Sequence, residues 1–81
     1  MIPEVILYTR QGCHLCEVVK ESLVRLGRRA QFQLVEVDID ADPDLRQRFN
    51  DEVPVVFIQG RKAFKYQMDE AEFLRTLAAR S

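Results

Sequence analysis

Two cysteines three positions apart, Cys13 and Cys16, stand where a short apolar run, Val5-Ile6-Leu7-Tyr8, gives way to a run with helical spacing. That junction constrains the fold more than any other feature of the chain. Val19, Leu23 and Leu26 follow Cys16 at i+3, i+7 and i+10, the stripe of an amphipathic helix. At about 100° per residue, Cys16 lies on this stripe and faces the core, while Cys13 falls at its edge and at the helix start. His14 points nearly the opposite way, toward water. One sulfur is therefore expected near the surface at a helix N-terminus and the other under cover one turn inside. A dithiol redox centre needs that arrangement, and a Cys-x-x-Cys placed between strand and helix is a strong redox signal.

The chemistry follows from the position. A free thiol has a pKa near ~8.5, so only about 3% is thiolate at neutral pH. A helix N-terminus carries roughly half a positive charge and unpaired N–H groups, both of which favour an anion. Cys13 is thus expected to be the acidic, reactive thiol. Cys16, more buried and further from the terminus, stays protonated until it attacks a mixed disulfide on Cys13. Other uses of the pair remain open from the residues. Tetrahedral zinc wants four ligands, and beyond Cys13 and Cys16 the chain offers one histidine, His14. A metal or iron–sulfur cluster would then need a dimer contributing both cysteines from each chain. A structural disulfide closing so short a loop constrains little of the unfolded chain. A redox-inert interaction module is the third alternative.

Eighty-one residues suggest one domain, 1–81, that buries a little over ~60% of its unfolded surface. Formal net charge is −1, which gives no electrostatic case for nucleic acid. No stretch is long enough to span a membrane. Met1-Ile2-Pro3-Glu4 lacks the basic opening of a secretory signal, so a cytoplasmic monomer is expected. Two cysteines in such a setting read as reactive rather than structural.

Taken in order, Val5–Tyr8 is an apolar strand expected to be buried on both faces, and Thr9-Arg10-Gln11-Gly12 is the turn that presents the thiols. The first helix is expected from about Cys13 to Leu26. Gly27 is suited to a left-handed C-terminal cap, with Arg28 and Arg29 complementing the negative helix end. Phe32–Val37 reads as a second strand, and strand–helix–strand implies a parallel pair. The acidic run from Asp38 to Asp44 is not a calcium loop: Pro43 stands at the sixth position, where glycine is required, and Phe49 at the twelfth, where glutamate is required. Asp42 as N-cap with Pro43 at the first helical position opens a short helix to about Phe49. Val55–Ile58 is a third strand, Gln59–Lys62 the turn and Ala63–Tyr66 a fourth strand. Asp69 with Glu72 has the form of a capping box, opening a last helix whose apolar face carries Phe73, Leu74, Leu77 and Ala78. The order is βαβαββα, an α/β domain with a four-stranded mixed sheet and three helices.

This order, the run Tyr8-Thr9-Arg10-Gln11-Gly12-Cys13-His14-Leu15-Cys16 and the run Val53-Pro54-Val55-Val56-Phe57-Ile58-Gln59-Gly60 together resemble the dithiol members of the glutaredoxin family, on the thioredoxin-like fold. The resemblance covers nearly the whole chain. It implies that Cys13 is the nucleophile and Cys16 the resolving thiol. It also implies a cis Val53–Pro54 peptide beside the active site, with the Val53 N–H and C=O free to pair strand-like with a thiol substrate. Arg10 matches a basic position that holds a glutathione carboxylate in family members. Two departures weigh against tight glutathione binding. Glu52 stands where many members carry threonine, and Phe64-Lys65-Tyr66-Gln67-Met68 is bulky where they carry small residues. The monothiol iron–sulfur branch has serine in place of Cys16, and thioredoxin itself has a tryptophan that this chain lacks.

The implied activity is a thiol–disulfide oxidoreductase with a redox-active disulfide serving electron transport. It would act on protein disulfides or small mixed disulfides, with Cys13 and Cys16 catalytic and Arg10, Val53 and Pro54 binding substrate. No cofactor or metal is expected to be bound. Glutathione is the implied co-substrate, and glutathione or a thioredoxin reductase the reductant.

Overall fold

The structure, a computed structural model, describes residues 2–80. Its elements are β1 (Glu4–Thr9), α1 (His14–Leu26), β2 (Gln33–Asp38), a 3-10 turn (Ile39–Ala41), α2 (Pro43–Phe49), β3 (Val55–Ile58), β4 (Arg61–Lys65) and α3 (Glu70–Arg80). The expected mixed sheet of four strands with three α-helices is present, in the spatial order β2-β1-β3-β4. β1 pairs parallel with β2 and antiparallel with β3, so the apolar run that precedes the thiols becomes an interior strand.

Alternation along the two central strands sorts their side chains onto two faces. Val5, Leu7, Val56 and Ile58 meet Val19, Leu23 and Leu26 of α1 and Phe73 and Leu77 of α3. On the other face Val55 packs with Ile39 of the 3-10 turn and Phe49 of α2, against Tyr8 and Phe57. The rings of Tyr8 and Phe49 stack with centroids 4.7 Å apart, and Tyr8 meets Phe57 edge-on at 5.3 Å. β1 is thus buried on one side through Val5 and Leu7, while Ile6 and Tyr8 on the other are half-buried, less covered than its unbroken apolar run suggests. Replacing a residue as enclosed as Leu23, which is fully buried, with alanine typically costs about 2–5 kcal/mol. Among the described residues no helix is long and apolar enough to cross a membrane.

Several local expectations differ from the structure. Gly27 is right-handed, with φ −62° and ψ −16°. The chain leaves α1 through a tight turn, in which Arg28 N–H donates to Arg25 O at 3.2 Å and Ala30 N–H to Leu26 O at 2.9 Å. These bonds satisfy the helix-end carbonyls without a left-handed residue. The β3–β4 connection is also shorter than expected. Gln59 and Gly60 both have positive φ, 53° and 80°, the pattern of a two-residue type I′ hairpin. β4 therefore opens at Arg61 and closes at Lys65. Arg61 and Lys62 read as turn residues because this edge strand carries its charges outward. A register shift falls where Val56 faces Phe64 and Phe57 faces Lys62, leaving Ala63 bulged between them. In α3, Asp69 Oδ1 accepts the Glu72 N–H at 2.9 Å. The Glu72 carboxylate turns forward to Arg75, so only half of the capping box forms.

Candidate active site

Cys13 is the N-cap of α1. Its backbone is extended, and its sulfur accepts the Cys16 N–H at 3.1 Å. Serine, threonine, aspartate or asparagine usually fills this role; here a sulfur does. Gly12, at φ 75°, makes the sharp entry that lets the next residue turn its side chain back over the first helical turn. Cys13 is half-buried, whereas Cys16 is 1% exposed and packs into the core. The two sulfurs are bonded, with Cα atoms 5.2 Å apart. The side-chain geometry thus matches the helical-wheel expectation: one thiol at the pole of the helix, the other one turn inside. His14 is exposed, as is Leu15.

Pairing of Tyr8 with Val55 brings the loop after β1 and the segment before β3 beyond the same end of the sheet. Val53–Pro54 is cis, and Pro54 is buried while Val53 is half-buried. The expectation that both polar groups of Val53 are free is corrected: its N–H donates to Phe49 O at 3.3 Å. The chain leaves α2 through a tight turn, which consumes that donor. Among the described residues the Val53 carbonyl accepts no hydrogen bond, while the Pro54 carbonyl accepts the Tyr66 N–H at 2.9 Å. One Val53 group, rather than two, is open to an incoming chain.

Arg10 is placed differently from its implied use. Its Nη2 and Nε donate to the two carboxylate oxygens of Asp40 at 2.7 and 3.2 Å, and its Nη1 donates to Asn50 Oδ1 at 3.0 Å and Asn50 O at 3.3 Å. The paired guanidinium holds the Asp40 carboxyl below the usual carboxylate range, and Asp40 in turn raises Arg10 above its ordinary value. Nothing in the sequence signals this contact. Asp40 and Asn50 lie 30 and 40 positions from Arg10, and the acidic run around Asp40 reads locally as helix-pole chemistry.

Glu52, the other departure, forms an ion pair with Lys62 of β4, which holds its carboxyl below the ordinary range. In the bulky stretch Tyr66 adopts φ 71°, so a large side chain sits on a left-handed backbone. On the β2 side of Cys16 a groove of about 330 Å³ runs between Arg10 and Gly12, Lys20 of α1, and Glu36 and Asp38 of β2. Lys20 and Glu36 pair across it at 3.3 Å. Among the described residues no three His, Cys, Asp or Glu side chains converge as a metal-ligand set.

Comparison with known proteins agrees with this architecture. The family model described as Glutaredoxin-like domain matches residues 4–78. An uncharacterised protein of Mycobacterium tuberculosis is 38% identical over 84 residues, covering 98% of this chain and 86% of the relative. The solution structure of a Nitrosomonas europaea protein superposes with a TM-score of 0.82 at 32% identity, over 95% of this chain and 93% of that one. At the level of fold alone, mitochondrial thioredoxin 3 of Saccharomyces cerevisiae, in its oxidised form, gives a TM-score of 0.71 at 16% identity, over 95% of this chain and 77% of that one. Fold and thiol pair together support a thiol redox role. The chain belongs to the glutaredoxin-like family, carried on the thioredoxin fold.

Proposed function

We propose that the protein is a thiol–disulfide oxidoreductase in which Cys13 is the nucleophile and Cys16 the resolving thiol. The observation that carries this reading is the Cys16 N–H aimed at Cys13 Sγ at 3.1 Å. In the reduced protein that bond falls on a thiolate. A hydrogen bond to a charged group contributes about 1.5–3 kcal/mol, and the helix pole adds about 0.3–1 kcal/mol. Since ~1.4 kcal/mol is a tenfold change in acidity, the two together raise the acidity of Cys13 by tenfold or more. Cys16, 1% exposed and one turn inside the helix, gains no such help and stays protonated.

In the cycle, the Cys13 thiolate attacks one sulfur of a substrate disulfide. The substrate S–S bond breaks, its distal thiolate leaves and takes a proton, and a mixed disulfide remains on Cys13. Cys16 then gives up its proton and attacks Cys13 Sγ. The Cys13–Cys16 disulfide forms and the second substrate sulfur leaves as a thiol. Two electrons pass from the protein to the substrate, and glutathione or a thioredoxin reductase returns them. Protein disulfides and small mixed disulfides are the substrate classes, and a cytoplasmic setting with reducing thiol pools suits the cycle.

Alkylation of the reduced protein against pH tests the first step. Cys13 should react with a midpoint below the ~8.5 of a free thiol, and Cys16 should react far more slowly. Cys16→Ser should accumulate a mixed disulfide on Cys13. A midpoint at or above the free-thiol value, or trapping on Cys16 in the reciprocal Cys13→Ser variant, overturns the assignment.

A further inference from the structure

We propose that Arg10 is a positioning residue, a strut that holds the thiol-bearing loop against the segment leading into Val53–Pro54, and not a ligand for a substrate carboxylate. The proposal rests on the redox reading above and specifies how that site is held together. Arg10 stands three positions before Cys13, and Asn50 three positions before Val53. Past Tyr8 and Val55 the ladder between β1 and β3 ends. Among the described residues, the hydrogen bonds that join residues 9–13 to residues 50–54 are those from Arg10 Nη1 to Asn50 O and Oδ1. The other half of the fork grips Asp40 through both carboxylate oxygens, so the guanidinium is oriented by the 3-10 turn while it reaches the end of α2. A planar fork with this geometry is specific to arginine.

Charge argues the same way. Asp38, Asp40 and Asp51 all act on Arg10, so an anionic substrate approaching this guanidinium meets three carboxylates. To bind it, Arg10 would have to release Asp40 and exchange one carboxylate for another. The gain is small, because the bond given up is as strong as the bond made.

The test is a double-mutant cycle on the full chain with Arg10→Met, Asp40→Asn and the pair. The maximal rate and half-saturating concentration are measured for oxidation of the reduced protein by two disulfides. One is neutral bis(2-hydroxyethyl) disulfide; the other is a mixed disulfide of glutathione with a peptide. Misplacement of reacting groups by a fraction of an ångström lowers rates by about tenfold. Each single variant should therefore lose about tenfold in maximal rate on both disulfides, with half-saturation moving less than about twofold. The double variant should be no slower than the slower single one. Arg10→Lys, which keeps the charge without the fork, should not restore the rate. A rise in half-saturation for the glutathione disulfide alone in Arg10→Met, with Asp40→Asn unchanged or tighter, overturns the proposal. So do wild-type rates in Arg10→Met. If neither disulfide oxidises the wild-type protein, the redox reading fails, and amide exchange then decides the strut separately. The Glu52 and Val53 N–H groups bond Phe49 O. Loss of their protection in both single variants supports the strut, and retained protection overturns it.

Discussion

Tyr66 places a phenol ring on a backbone turned to φ 71°, where a side chain bearing a Cβ costs about 1 kcal/mol. The ring is 45% exposed, and Lys65 Nζ lies 5.5 Å from its centroid, a contact worth about 0.5 kcal/mol at such a site. In Tyr66→Gly the relieved strain is offset by the chain entropy glycine loses on folding, about 0.5–1 kcal/mol, so the urea midpoint should barely move. A lower midpoint would show that ring contacts outweigh the backbone strain. Gln59 is a second residue at positive φ, but its Oε1 accepts the Glu4 N–H at 3.0 Å, so the same substitution there would give up a bond between β1 and the hairpin. The distinction between these two sites was not legible in the chain, because neither glutamine nor tyrosine advertises a left-handed backbone.

Among the elements, two of the three α-helices open on an aspartate cap and the third on a sulfur. Asp42 Oδ1 accepts from Asp44 N–H and Asp69 Oδ1 from Glu72 N–H, each at 2.9 Å, whereas α1 is capped by the Cys13 sulfur. The two carboxylates serve stability alone, and the sulfur serves both capping and chemistry. Asp69→Ala should lower stability by about 1 kcal/mol and leave the alkylation behaviour of Cys13 unchanged, since α3 contributes no group to the thiol pair. Calorimetry and the alkylation profile check the two halves of that statement. All three starts were readable, since caps act within four residues and Pro43 marks its own position. Helix and strand ends were read less well: Gly27 and the Gln59–Gly60 turn depend on where the chain must go next, which local spacing does not encode.

For the whole molecule, three of the ion pairs that tie distant parts together also shift a carboxyl. Arg25 of α1 meets Glu70 of α3 at 2.6 Å, Lys62 of β4 meets Glu52, and Arg10 meets Asp40 at 2.7 Å. Each carboxyl is held below its ordinary value, chiefly by the hydrogen bond from its cation. A carboxyl with a depressed folded-state pKa contributes stability that is fully present above its unfolded value, near 4, and lost as pH falls through the folded value. The melting temperature should therefore show no loss from these pairs between about pH 5 and 7 and should decline below about pH 4. Because the pairs are solvent-exposed, the decline should shrink at molar salt. A salt-independent acid transition would point instead to protonation in a buried setting.

Short-range physics made much of this protein legible in its residues. Apolar runs, alternation, helical spacing and cap residues marked the four strands and three helices, and a strand–thiol–helix junction set one sulfur at a pole and the other inside, because spacing along a helix decides which face each residue takes. Only the tertiary structure decided the partners of Arg10, Glu52 and Val53. Arg10 and Glu52 bind across 30 and 10 residues, and the Val53 N–H turns back to Phe49 rather than outward. A charged side chain or a loop amide takes whichever partner the folded chain brings within about 3 Å, and pairing at that range depends on distance in space and not on order in the chain.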